Sequence, residues 1–116
     1  MKTSCHFSQR LNQRGITKEM VDFTLEFGDI DGDKFVTNKK LLEAYIKEYK
    51  YKSESLSRLF KKFKHLAVAK LIRRLLEVVR KNLSTALRLR DKGGIVVIYD
   101  NNTLVTVYDT DSYCEY

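Results

Sequence analysis

The chain has 116 residues, 43% of them hydrophobic and 32% charged, with no proline and a net charge of +7. That length fits one domain with one modest core; no apolar run reaches the roughly 18 residues of a transmembrane helix, and nothing after Met1-Lys2 resembles a signal peptide, so a cytoplasmic protein with no membrane partner is predicted. The charge is uneven: residues 1–36 hold 5 Lys/Arg and 6 Asp/Glu, residues 37–92 hold 17 and 5, and residues 93–116 hold 0 and 4, which leaves +12 in the middle.

The first predicted element is a helix over about Ser4–Arg14. His6, Arg10 and Arg14 recur every four residues, which stacks them on one face. An imidazole can move a proton near neutral pH, and guanidiniums hold phosphate in a planar fork, so the row reads as a phosphate-handling kit. A solvated basic face would carry the same spacing. Gly15 suits a helix end, and Thr17 suits the N-cap of a second helix ending at Gly28. Val21 with Leu25, and Phe23 with Phe27, give that helix a buried side.

Asp29-Ile30-Asp31-Gly32-Asp33 opens like a calcium loop. Counted from Asp29, however, the required glycine is Lys34 and the required glutamate is Lys40, so a polar turn and a short strand near 34–37 are predicted, with no metal. Asn38 caps a third helix from Lys39 to about Lys50, and Ser53 or Ser55 caps a fourth. Leu56, Leu59, Phe60 and Phe63 form one apolar stripe, and Val68, Leu71, Ile72, Leu75, Val79, Leu83 and Ala86 form another. On a straight helix the two would point roughly 130° apart. The spacing therefore predicts a break near His65–Ala69, helices of about 54–65 and 67–90, and separate neighbours for the two stripes. Lys61, Lys62, Lys64, Lys70, Arg73, Arg74, Arg80 and Lys81 are the candidate nucleic-acid-binding residues of this basic segment.

Gly93-Gly94 ends the helices. Ile95–Tyr99 and Leu104–Tyr108 then read as a hairpin turning at Asn101-Asn102, with Tyr99 opposite Leu104 and Val97 opposite Thr106. That register puts Val96, Ile98, Val105 and Val107 on one face. The acidic tail from Asp109 is predicted to be loosely held. Cys5 and Cys114 read as reduced thiols, their spacing fits no metal site, and their pairing stays open. The predicted class is α+β, as one domain: two helices in 1–28, a turn and strand in 29–37, a basic helical segment in 38–92, a hairpin in 93–109 and a tail in 110–116.

The stretch His6-x3-Arg10-x3-Arg14-Gly15-Ile16-Thr17, together with Lys92-Gly93-Gly94-Ile95-Val96-Val97 and Leu104-Val105-Thr106-Val107-Tyr108, resembles a bacterial family, domain of unknown function 4258. The resemblance covers both ends, and the basic middle stands as an insertion. The family looks like a distant relative of the RelE-type toxin fold and of barnase-like ribonucleases. That likeness implies two helices on one face of an antiparallel sheet, with RNA on the other. It also places Thr106 and Tyr108, on the last strand, beside His6, Arg10 and Arg14 as catalytic candidates. A metal-independent endoribonuclease toxin without a cofactor would then use His6 as acid or base, the two arginines against phosphoryl charge, and Tyr99 or Tyr108 to stack a base. The other reading is a small bacterial or mobile-element protein that is not an enzyme. It would engage RNA, DNA or an acidic protein, such as an antitoxin or a host nucleic-acid machine, through its basic helices.

Overall fold

The computed structural model describes residues 2–110. The elements run β1 (Lys2–Thr3), α1 (Cys5–Arg14), α2 (Lys18–Phe27), β2 (Asp29–Asp31), β3 (Lys34–Val36), α3 (Lys39–Phe63), α4 (Val68–Lys92), β4 (Ile95–Asp100) and β5 (Thr103–Asp109). They form one five-stranded sheet in the order β1-β5-β4-β3-β2. All its pairings are antiparallel except the two-residue β1, which runs parallel to β5 at the edge. The class is α+β, with the C-terminal hairpin packed against the helices.

Local chemistry sets the first helices. Ser4 Oγ accepts from the Phe7 N–H at 3.0 Å, and Gly15 closes α1 in the left-handed region at φ 64°. Thr17 Oγ1 accepts from the Met20 N–H at 3.3 Å to start α2. Asn38 Oδ1 accepts from the Leu41 N–H at 2.8 Å to start α3. Each such cap stabilises its helix by about 1 kcal/mol.

The polar turn after α2 is larger than expected. Asp29–Asp31 is itself a strand, paired with β3 across a turn at Gly32. Its aspartates alternate as strand residues do, a pattern that also imitates a metal loop. Helix α3 does not stop at Lys50 either. It continues to Phe63, and neither Ser53 nor Ser55 begins a new helix. No glycine or proline lies between Asp33 and Lys92 to interrupt it. The expected break falls at residues 64–67, and α4 folds back along α3 as an antiparallel pair. The two stripes therefore do not have separate neighbours. Each helix packs on the other, with Ala69, Ile72 and Leu76 buried on α4, while Val68, Leu71 and Leu75 of the expected stripe are exposed.

The hairpin turns where expected, with Asn101 and Asn102 both at positive φ. Tyr99 faces Leu104 as predicted, but a bulge at Ile98/Tyr99 shifts the rest of the register. Val97 pairs with Val107, and Thr106 pairs with Ile98. Directly paired residues share a face. Ile95, Val97 and Val107 therefore point into the core with Phe7, Met20, Phe23, Leu42 and Leu89. Val96, Ile98, Thr106 and Tyr108 lie on the opposite face.

Helices α3 and α4 leave this body as an arm, and the molecule measures 53 × 27 × 25 Å. A buried threonine cluster holds the arm's base. Thr37 Oγ1 accepts from the Ile95 N–H at 2.9 Å and lies 3.4 Å from Thr24 Oγ1. Thr110 Oγ1 donates to the Thr37 carbonyl at 2.6 Å. Thr110 is therefore well anchored, contrary to a loose tail from Asp109 onward; residues 111–116, Cys114 included, lie outside the described residues. Replacing Thr37 by valine removes the acceptor of a buried N–H. It is expected to cost about 2 kcal/mol and lower the melting temperature by several degrees. An unchanged melting curve would show that the cluster does not anchor the arm.

Candidate functional site

Helix α1 is fastened to β5. The Ser4 N–H donates to the Leu104 carbonyl at 3.1 Å, and Ser4 Oγ donates to the Val105 carbonyl at 3.2 Å. Phe7 fills the core below. The next two turns place Arg10 and Arg14 against β5. Their guanidinium carbons lie 5.3 Å and 5.5 Å from the centre of the Tyr108 ring. Both distances fall within the range of a favourable cation–π interaction. Arg10 Nε is buried and has no hydrogen-bond partner. Neither arginine is ion-paired to Glu26, Asp29 or Asp31. Three of the five predicted catalytic residues thus come together.

The other two do not complete a reactive centre. His6 is exposed one turn earlier on α1, and among the described residues its side chain makes no hydrogen bond or ion pair. Thr106 is 7% exposed, and its hydroxyl is buried without a partner, so it is not presented to a substrate. The remaining histidine, His65, sits in the turn at the far end of the 25-residue α4. A helix of that length spans about 37 Å, so the two imidazoles cannot form an acid–base pair. The hollow between α1 and α2 is lined by Phe7, Leu11, Val21, Leu25 and Leu104, with Lys18 and Asp22 also in its wall; none of the five candidates lines it.

Two residues of this region were missed from sequence. Lys92 Nζ donates to the Arg14 carbonyl at 2.9 Å and pairs with Asp109 at 3.5 Å. One lysine at the end of α4 thereby ties α1 to the end of β5. Its only signal was a cation in the last turn before Gly93-Gly94, a common pattern.

The basic arm is the second candidate surface. Lys61, Lys62, Lys64, Lys70, Arg73, Arg74, Arg80 and Lys81 are all exposed. Of these, only Arg73 meets a carboxylate among the described residues, Glu77 at 3.5 Å. At the arm's base Tyr45 is buried among Phe23, Phe27 and Tyr49. Its hydroxyl has no hydrogen bond of good geometry, although Asn82 is close enough to favour the ionised form slightly. Burial pushes the phenol well above its ordinary range, and the neighbouring Tyr49 and Glu26 add to the shift. It therefore stays neutral and acts as a packing residue.

Among the described residues, no group of three His, Cys, Asp or Glu side chains is placed to hold a metal ion. No described helix is long and apolar enough to cross a membrane. No protein-family model, curated protein or solved structure matches the chain.

Proposed function

We propose that this protein binds nucleic acid in the cytoplasm without cutting it, using the outer faces of α3 and α4. One observation carries the reading: eight exposed lysines and arginines lie along a projecting helix pair, and among the described residues only Arg73 is neutralised by a carboxylate. Each helix has 25 residues, about 37 Å, close to the pitch of one duplex turn. Flexible lysines and arginines on such a surface suit phosphates rather than base edges. The expected binding is therefore weakly dependent on sequence. The test is a fluorescence-anisotropy titration of labelled DNA and RNA duplexes over a range of salt. The logarithm of the association constant should fall against that of salt with a slope of about −4 or steeper. A slope near zero would rule the reading out.

A second reading keeps RNA cleavage, and the meeting of Arg10, Arg14 and Tyr108 favours it. There the guanidiniums would hold the phosphoryl group while His6 moved the proton. On that reading Arg10→Ala should cut the cleavage rate about 100-fold, the scale of one lost transition-state donor. RNA cleavage by wild type no faster than by His6→Ala would end it.

A further inference from the structure

The inner side of the arm differs in chemistry from its outer faces. On α4, positions 71, 75, 78, 82, 85 and 89 recur at alternating steps of four and three, which keeps them on one stripe. The part near the body, Thr85 and Leu89, is buried. The part beyond the body is Leu71, Leu75 and Val78, which are 58%, 49% and 57% exposed. Helix α3 repeats the pattern at positions 45, 49, 52, 56, 59 and 63. Tyr45 and Tyr49 pack on Phe27 of α2 at ring distances of 4.8 Å and 6.1 Å. Farther out the same stripe presents Leu56, Leu59 and Phe63, with Leu59 exposed. The groove between α3 and α4 thus has an occupied inner half and an open outer half.

The occupant of the inner half shows what fits. Helix α2 is amphipathic. Its Phe23 enters the groove, while Glu19, Asp22 and Glu26 line the same hollow as Lys81 and Val78. But α2 has only 10 residues, against 25 for each arm helix. Lys62 and Arg74 along the open half, and Lys81 in the hollow shared with α2, each directly precede a stripe position and form a cationic rim. A second copy of this chain would bring the same cations against them. The geometry points to a protein partner that supplies an amphipathic helix with an apolar heptad stripe and acidic flanks, laid in the open half of the groove as an extension of α2. This site shares the cations of its rim with the basic faces proposed to bind nucleic acid, but its apolar residues Leu71 and Leu75 are not part of those faces.

The probes are two labelled peptides of about 21 residues, each with leucines at heptad positions and with either glutamate or lysine beside them. The intact protein should bind the glutamate peptide saturably and the lysine peptide about tenfold more weakly or less. The double variant Leu71→Ser, Leu75→Ser should bind the glutamate peptide about tenfold to hundredfold more weakly, since both side chains are exposed and available to be buried. Tyr51→Ser, exposed on another side of α3, should change nothing. The same double variant should keep full affinity for nucleic acid, which separates this proposal from the preceding one. Equal binding of both peptides would overturn it. So would a dimer abolished by the double variant, which would make the occupant a second copy. Retention on phosphatidylserine vesicles through Leu71 and Leu75, without peptide binding, would assign the stripe to a lipid surface instead.

Discussion

Replacing Lys61, Lys62, Lys64, Lys70, Arg74 and Lys81 together by glutamine is expected to weaken nucleic-acid binding by about 10³-fold at about 50 mM salt. The magnitude follows from counterion release. Each phosphate contact changes the salt slope by about 0.9, so at low salt it is worth about tenfold in affinity, and three contacts among six residues suffice. The salt dependence should flatten in step. Folding should survive the change. All six side chains are exposed and, among the described residues, none is ion-paired to a carboxylate. Glutamine is also as good a helix former as lysine. Removing six like charges from two adjacent helices should leave the melting temperature equal or higher. A loss of less than about threefold with unchanged salt dependence would place binding elsewhere on the molecule.

The sequence disclosed most where one residue decides a conformation. Gly15, Thr17 and Asn38 mark helix ends because their side chains or φ angles answer local hydrogen-bonding needs, and all three do so in the structure. Asn101-Asn102 marks the hairpin for the same reason. The sequence misled where two states share one local signal. Ser53 and Ser55 are good caps, yet they sit inside a helix that nothing nearby interrupts. Alternating aspartates fit a strand as well as a loop. The bulge between Ile98 and Tyr99, which skips Val105 on β5, had no local signal at all. It put Thr106 on the face of Val96 and Ile98 rather than opposite Val97.

The candidate site divides the same way. Four-residue spacing placed Arg10 and Arg14 on one helix face, but their meeting with Tyr108 depends on the fastening of α1 to β5 through Ser4, which spacing does not reveal. What spacing could not give is the third dimension. His6 shares that row, yet it lies a turn too early to reach the ring, and His65 is carried away at the end of the arm. The +12 segment was visible as charge, but its division into a basic outside and an apolar groove needed both helices in register.

Gly94→Ala is expected to be the most damaging single change to the fold, costing about 3 kcal/mol or more. Gly94 sits at φ +93°, where L side chains are strained. A Cβ there would also stand 2.1 Å from the Thr37 carbonyl oxygen and 2.5 Å from its carbon. Both are backbone atoms, so no side chain can swing aside. Relief would require moving Thr37, the residue that takes the Ile95 N–H and receives the Thr110 hydroxyl. The Gly94 N–H also closes α4 on the Leu89 carbonyl at 2.9 Å, and the Gly94 carbonyl accepts from Thr110 at 3.1 Å. One methyl group would therefore disturb both the start of α3 and the end of α4, the two points where the arm joins the sheet. Gly15→Ala is the control. It has a similar φ of +64° but open space around it, so only backbone strain applies, about 1 kcal/mol. Urea denaturation of the two variants should separate them by at least about 2 kcal/mol, with the larger loss at Gly94. Equal losses would mean that the arm is not pinned by this close approach, and that its orientation on the sheet depends on the core residues Leu42 and Leu89 instead.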